Sequence, residues 1–132
     1  AEWVLDSLVS GTEMNLFCDV YFSPLHVCDL SKVIGEIVVE PIYGLYHCAS
    51  SNSVSKYEFG MIMAKIFNIS DSNIHKVSVD SLKLKARRPK NMALNVSKIS
   101  KILKYNLPTV KDAIKLMKHL HDINIKTVNN LK

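Results

Sequence analysis

Amphipathic helical patterns alternate with short strand-like runs along this chain of 132 residues, and this alternation constrains the fold most. In the predicted helices apolar residues recur every three or four positions, which places them on one face. The runs between the helices are short and apolar, which is typical of strands. Apolar residues make up 48% of the chain, enough for a folded core. We therefore predict an α/β fold, or an α+β-like fragment of one.

The clearest predicted helix begins at Ser55. Ser55 and Glu58 have the spacing of a capping box, in which two side chains satisfy free N–H groups at a helix start, and an apolar stripe follows. Thr109 and Asp112 form a second box, which starts a helix expected to end near His121. The other predicted elements are helices at about 2–9, 27–40 and 96–103, and strands at about 14–18, 44–50, 74–79 and 91–94.

The helix that precedes Pro41 carries the longest apolar stripe. Its apolar positions follow a three-four spacing, which predicts one buried face. The residues of this stripe are Val27, Leu30, Val33, Ile34, Ile37 and Val38.

Length and composition favour one domain, residues 1–121, followed by a frayed tail at 122–132. The three cysteines, at positions 18, 28 and 48, are odd in number and form no C-x-x-C pair, so no disulfide framework or zinc site is predicted. No signal peptide and no run of about 18 apolar residues is visible, so neither secretion nor a membrane is indicated. A reduced, cytoplasmic protein is expected.

The charge is distributed unevenly along the chain. The first 31 residues contain no lysine or arginine, whereas most of the basic residues lie from Lys83 onward, and the net charge is +5. Such a distribution suits an anionic partner. Nucleic acid is not favoured, because single-strand binding uses aromatic residues among the basic ones and Tyr105 is the only aromatic residue after Arg87.

Motifs of a complete oxidoreductase are absent from the sequence. The four glycines stand at positions 11, 35, 44 and 60, which excludes the glycine-rich dinucleotide-binding turn G-x-G-x-x-G. None of the five tyrosines is followed four residues later by a lysine. His119 and His121 lie two apart on a predicted helix and point away from each other, so no metal site is expected. No catalytic residue is predicted within this chain.

Arg87 and Arg88 precede Pro89 in the segment ARRPKN. Pro89 restricts Arg88 to an extended backbone, and a planar guanidinium on a stiff segment suits bidentate contact with a phosphate. A solvated turn fits the same residues equally well, because such side chains are mostly exposed. His26, which follows Pro24 at a helix start, is consistent either with an anion or sugar hydroxyl site or with simple capping.

Three ordered segments resemble one known family. The segments SPLHVCDLSKVI, GLYHCASSNSVSKYEFGMIMAKIF and LKARRPKNMALNVSKI are similar to the C-terminal, sugar-nucleotide-binding part of dTDP-4-dehydrorhamnose reductases, which are extended short-chain dehydrogenases/reductases. The resemblance covers about residues 13 to 116. Leu25 replaces the threonine usual in this family, and Asn95 replaces an aspartate while keeping the capping chemistry.

The resemblance implies a substrate-binding part without the dinucleotide-binding half. In an intact member NAD(P)H reduces a 4-keto sugar nucleotide, and this chain alone is expected to bind no cofactor. It implies that Arg88, with Arg87 and Asn91, contacts a sugar nucleotide, most simply a dTDP-sugar, and that Pro24 and His26 shape the wall of the cleft. Whether the chain is part of an enzyme is left open by the residues themselves.

The resemblance extends to a second function. The regulatory subunit of methionine adenosyltransferase is similar over the same stretch and keeps the fold for protein binding. A non-enzymatic interaction module is therefore the alternative interpretation. Because the substrate part packs on a cofactor half in this family, a separate copy is expected to expose an apolar face and to bind a partner subunit or form a homo-oligomer.

Overall fold

The structure, a computed structural model, describes residues 1–82 and 85–130. Helices and short strands alternate in it, as the sequence pattern predicts. The helices are α1 (Glu2–Ser10), α2 (Val27–Val39), α3 (Lys56–Phe67), α4 (Ser97–Leu103) and α5 (Val110–Asn130), and the strands are β1 (Met14–Phe17), β2 (Tyr21–Phe22), β3 (Val54–Ser55), β4 (Ile74–Val77) and β5 (Asn91–Met92). A short 3-10 helix spans Val79–Ser81.

The strands form two small sheets. Strand β1 pairs with β4 in parallel, with Met14 opposite Ile74. Strand β2 is the centre of a three-stranded sheet, antiparallel to β3 and parallel to β5, with Tyr21 opposite Asn91. The connections that leave β2 and enter β5 therefore belong to neighbouring strands, and they carry the candidate site residues.

Two separate clusters of buried side chains form the core. The larger cluster joins α1, α3 and α5 to the β1–β4 pair, and Met63 at its centre is completely buried. A Cβ on Gly60 of α3 would stand 2.5 Å from a methyl carbon of Leu16 in β1, so a larger residue there would require the Leu16 side chain to shift. The smaller cluster joins α2 to α4 and consists of Val33, Ala49, Val96, Ile99 and Leu107.

Helix ends follow the predicted capping chemistry. Both reciprocal bonds of the capping box at Ser55 and Glu58 are present, and the box at Thr109 and Asp112 is formed as well. Helix α1 ends at Gly11 in the left-handed conformation. Helix α5 does not end near His121 but continues to Asn130. The division at residue 121 stays a prediction, and residues 131 and 132 of the predicted tail lie outside the described residues.

Two further predictions of local structure are wrong. The run at 44–50 forms no strand, although its residues at 46, 48 and 49 pack on the smaller core cluster. The apolar stripe of α2 is not buried as one face: Val33 is buried and Ile37 is partly buried, whereas four residues are exposed. These four are Val27, Leu30, Ile34 and Val38. The reason is that α2 is covered on one side only.

The carboxylate of Asp19 joins three parts of the chain. Asp19 lies just after β1, and it accepts hydrogen bonds from the hydroxyl of Ser78 at 2.7 Å and from the backbone N–H of Val79 at 2.9 Å. The ammonium of Lys90, one residue before β5, lies 3.2 Å from the same carboxylate and also contacts Asp80. This arrangement fixes the chain at Lys90, just before β5, to both sheets.

Among the described residues, no helix combines the length and the apolar character needed to cross a membrane.

Replacement of Ser55 by alanine should destabilise the protein by about 1 kcal/mol, within a range of about 0.5 to 2. Ser55 is 1% exposed, and its hydroxyl accepts the N–H of Glu58, which would lose its partner. The urea midpoint of unfolding measures the effect. Ser53→Ala is the matched control, since Ser53 is exposed and makes no side-chain hydrogen bond within the described part of the chain; equal losses at both positions would contradict the capping role.

The Asp19 contacts predict a dependence of stability on pH. Hydrogen bonds from Ser78 and Val79, followed by Lys90, lower the pKa of Asp19 from 3.8 to about 2. The group is ionised more readily in the folded than in the unfolded chain, so its stabilisation is present above about pH 5 and is lost as the pH falls through 3.8 towards 2.

Asp19→Asn should therefore lower the urea midpoint at pH 7, and its deficit relative to the unmodified chain should shrink as the pH falls from 5 towards 2. Asp6→Asn provides the comparison, because Asp6 is exposed and has no hydrogen-bond or ion-pair partner in residues 1–82 and 85–130. A deficit at Asp19 that stays constant between pH 7 and pH 2 would show that the carboxylate charge is not the cause.

Candidate functional site

The segment Lys85–Lys90, here called the basic loop, runs along the surface into β5, and all of its side chains are exposed. Its last four residues, Arg87 to Lys90, line an open cavity of about 390 Å³. The loop follows the 3-10 helix and ends where Lys90 contacts Asp19 and Asp80. It is therefore anchored at its carboxyl end and open to solvent along its length.

Lys90 and the two arginines of the basic loop have different surroundings. Contacts with Asp80 and then with Asp19 raise the pKa of Lys90, so its charge is compensated within the protein. Arg87 and Arg88 make no hydrogen bond or ion pair within residues 1–82 and 85–130. Their guanidinium groups retain all their donors for a ligand, and the planar fork suits a phosphate or carboxylate.

Asn91 continues from the basic loop as the first residue of β5. Its side-chain oxygen accepts the N–H of Ala93 at 3.0 Å, which forms a tight turn of the backbone. Its amide NH₂ has no partner among the described residues. Of the predicted binding residues, Arg87, Arg88 and Asn91 are thus brought together at the start of β5.

Pro24 and His26 lie on the connection from β2 to α2. The Nδ1 atom of His26 accepts the N–H of Cys28 at 3.2 Å and caps α2, which leaves the ring proton on Nε2. The carbonyl of Pro24 accepts the hydroxyl of Ser50, which is 1% exposed. Both residues line a mostly apolar cavity of about 230 Å³ together with Leu25, Val27, Phe59, Ala113, Ile114, Met117 and the first two residues.

The parallel register places these two groups at opposite ends of the same strand pair. Tyr21 of β2 stands opposite Asn91 of β5. Arg88 precedes this pair by three residues and Pro24 follows it by three, so they differ by six positions along the strands, up to roughly 20 Å. The predicted site residues therefore form two separate groups, each beside its own cavity, and do not form one compact pocket.

Some residues near the strand pair were not identified from the sequence. The ammonium of Lys56 lies 3.2 Å from the ring centroid of Phe22, and burial lowers its pKa. Within the described residues it has no carboxylate partner. Ser23 accepts the N–H of Leu94 at 3.3 Å and ties the two exits of the strand pair together. Neither contact can be predicted from local spacing, because the two residues of each pair lie more than 30 positions apart along the chain.

Solved structures with the same fold include reductases of sugar nucleotides. A dTDP-4-dehydrorhamnose reductase of Bacillus anthracis in complex with NADP matches 86% of this chain and 40% of its own, with a TM-score of 0.76 and 22% identity. An orthologue from Clostridium acetobutylicum matches 92% of this chain and 43% of its own, with a TM-score of 0.79 and 20% identity. At these identities the likeness establishes the fold, and it confirms the α/β class.

Curated proteins of two kinds are similar in sequence. A probable low-salt glycan biosynthesis reductase of Haloferax volcanii is 25% identical over 111 residues, which are 84% of this chain and 37% of that protein. Methionine adenosyltransferase 2 subunit beta of Rattus norvegicus is 32% identical over 81 residues, 58% of this chain and 24% of that protein. The chain thus spans about two-fifths or less of the length of these relatives.

The family profile described as the RmlD substrate binding domain matches residues 2–122. This range contains both groups of candidate residues, the two core clusters and almost the whole described fold. The predicted resemblance to the substrate-binding part of dTDP-4-dehydrorhamnose reductases is therefore confirmed, and the chain belongs to the RmlD substrate binding domain family.

Proposed function

We propose that this chain binds a sugar nucleotide, most simply a dTDP-sugar, as the substrate-binding part of an NAD(P)-dependent reductase. The observation that carries the proposal is the family match over residues 2–122. The named reductases among its relatives support it. In this proposal the nicotinamide cofactor supplies the hydride, and its binding residues and the proton donor belong to polypeptide other than these 132 residues.

The basic loop is the proposed contact for the diphosphate. Arg87 and Arg88 are exposed and without partners in the described structure, and they face a cavity rather than a neighbouring carboxylate. Pro89 restricts the backbone of Arg88, and the ion pairs of Lys90 fix the loop end, so less freedom is lost when a ligand binds. Each charge-assisted contact would contribute on the order of 1.5 to 3 kcal/mol.

Pro24 and His26, which lie after β2, are proposed to contact another part of the same ligand, as a wall at the far end of the strand pair. Asn91 would donate its free amide NH₂ beside the two arginines of the basic loop. A sugar nucleotide is elongated and carries its charge between the base and the sugar, so one molecule can lie along β2 and β5. The chain alone offers only an open surface for it, and weak affinity is expected.

The function predicts the effect of replacing Arg88. Arg88→Ala should weaken binding of dTDP-glucose by about 10- to 150-fold, since one charge-assisted contact is lost. The thermal midpoint should not fall, because the side chain is exposed and contacts no partner within the described residues. Isothermal titration measures the first quantity and circular dichroism the second.

Two further variants separate charge from geometry. Arg88→Lys keeps the charge but not the planar fork, so its affinity should lie between those of the unmodified chain and Arg88→Ala. Lys111→Ala removes one positive charge from an exposed position on α5 that has no partner in the described part of the chain, and should leave binding unchanged. If Arg88→Ala binds dTDP-glucose as well as the unmodified chain, or if Lys111→Ala loses as much, the assignment of the basic loop is wrong.

A second candidate function is a regulatory module that binds a protein and no substrate. The similarity to methionine adenosyltransferase 2 subunit beta favours it, and so do the exposed apolar residues of α2. The titration with dTDP-glucose discriminates between the two when it is read beside a pull-down from the native lysate. A protein partner together with no nucleotide binding would favour the module.

A further inference from the structure

Helix α4 carries a polar stripe on the side opposite Ile99, the residue that is buried in the core. The stripe covers about 100° of the helix surface and consists of Ser97, Ser100, Lys101 and Lys104. All four side chains line an open cavity of about 440 Å³, here called the α4 cavity, together with Ser51, Val96, Tyr105 and Asn106. This volume lies within the range of about 300 to 1,000 Å³ that is typical of small-molecule sites.

The positive charge of the α4 cavity is not compensated. Lys101 and Lys104 are exposed and make no hydrogen bond or ion pair within residues 1–82 and 85–130. No aspartate or glutamate is among the residues that line the cavity. Lys98 on the same helix differs, because its ammonium group donates to the carbonyl of Leu45 at 2.9 Å. Two ammonium groups without a carboxylate neighbour favour an anion between them.

Neutral polar groups surround the two lysines of the α4 cavity. Four of these side chains have no hydrogen-bond partner in the described part of the chain, and they are Ser51, Ser97, Ser100 and Asn106. The hydroxyl of Ser31 on α2, in contrast, donates to the carbonyl of Val27 at 2.9 Å. Hydroxyl and amide groups both donate and accept hydrogen bonds, as sugar hydroxyls do. The lining of the cavity is therefore suited to a ligand that carries hydroxyl groups beside its charge.

Packing and hydrogen bonds hold the walls of the α4 cavity in place. Ile99 is 1% exposed and anchors α4 in the smaller core cluster. On the opposite wall, the backbone N–H of Ser51 donates to the carbonyl of Pro108 at 3.0 Å. The hydroxyl of Tyr105 donates to the carboxylate of Glu36 at 3.0 Å, which fixes the ring as a largely apolar wall. A ligand therefore binds without having to order the cavity first.

We propose that the α4 cavity binds a phosphorylated sugar. Lys101 and Lys104 hold the phosphate, because two ammonium groups match its charge of about −2. The serine hydroxyls and the amide of Asn106 bond the sugar hydroxyls, and the CH groups of the sugar pack against the ring of Tyr105. The contacts come from both walls of the cavity, so they select for the sugar as well as for the phosphate.

The α4 cavity is separate from the site proposed for the dTDP-sugar. It shares no lining residue with the cavity of the basic loop. The two sites also use different cations. The planar fork of an arginine suits two oxygens of a phosphate at once, whereas a lysine is a compact point charge that can approach a terminal phosphate from any side. The inference therefore concerns a second ligand and does not depend on the proposed function.

A nuclear magnetic resonance titration of the ¹⁵N-labelled chain with glucose 1-phosphate tests the proposal. The backbone amide signals of Ser97, Ser100 and Asn106 should shift and reach saturation. The affinity should be at least fivefold higher than that for inorganic phosphate, which is the effect of one neutral hydrogen bond to the sugar. Glucose without a phosphate should not saturate these signals over the same concentration range.

Variants assign the contacts within the α4 cavity. Lys101→Ala combined with Lys104→Ala should lower the affinity for glucose 1-phosphate at least tenfold and leave the thermal midpoint unchanged, because both side chains are exposed and unpaired in the described structure. The matched control combines Lys65→Ala with Lys111→Ala. It removes the same charge from exposed positions outside the cavity and should change the affinity less than twofold.

Asn106→Ala separates the sugar from the phosphate. It should weaken the binding of glucose 1-phosphate at least threefold and leave the binding of inorganic phosphate unchanged, because the amide is assigned to the sugar. Unchanged binding of glucose 1-phosphate by this variant would contradict the assignment.

Three further outcomes would overturn the proposal. Equal affinities for glucose 1-phosphate and inorganic phosphate would mean that the cavity selects no sugar. Equal losses in the two double variants would show that only the net charge of the chain matters. Signal changes confined to the basic loop, with a loss of binding in Arg88→Ala, would place the ligand there. Arg88→Ala is expected to leave the shifts of Ser97, Ser100 and Asn106 unchanged, so the two proposals can fail independently.

Discussion

The carboxylate of Asp19 is the point at which the strand pairs and the basic loop meet. It follows β1, accepts two hydrogen bonds from the segment after β4 and contacts Lys90 just before β5. Since β1 and β4 belong to one sheet and β5 to the other, this one side chain links both. The ion pair between Asp19 and Lys90 is partly exposed, so it contributes little to the free energy of unfolding. Its main effect is to fix the position of the basic loop.

This anchoring separates the roles of neighbouring cations in the basic loop. Lys90 is used by the fold, whereas Arg87 and Arg88, two or three residues earlier, have no partner in the described structure. A free arginine on a freely moving loop would lose much side-chain and backbone entropy on binding. An arginine next to a fixed lysine and a proline loses less. The basic loop thus has two roles: Lys90 fixes it to the fold, and Arg87 and Arg88 are candidate contacts for an anion.

Features governed by local chemistry were predictable from the sequence. The capping boxes at Ser55 and Thr109 join residues three apart, and they start α3 and α5 as predicted. Strands β2 and β3 were missed because each has only two residues and is defined by pairing with strands more than 30 positions away along the chain. The run at 44–50 was predicted as a strand from its apolar pattern. The apolar residues of this run are buried by packing on the smaller core cluster, and the run needs no partner strand for that.

The same limit applies to the candidate site. The exposure of Arg88 and the capping by His26 follow from residue type and local spacing, and both are observed. Their separation along β2 and β5 depends on the register between strands, which no local pattern contains. Helix periodicity likewise predicted the apolar stripe of α2 but not how many of its sides are covered. Among the described residues, Val33 and Ile37 are the members of this stripe that pack in the smaller core cluster.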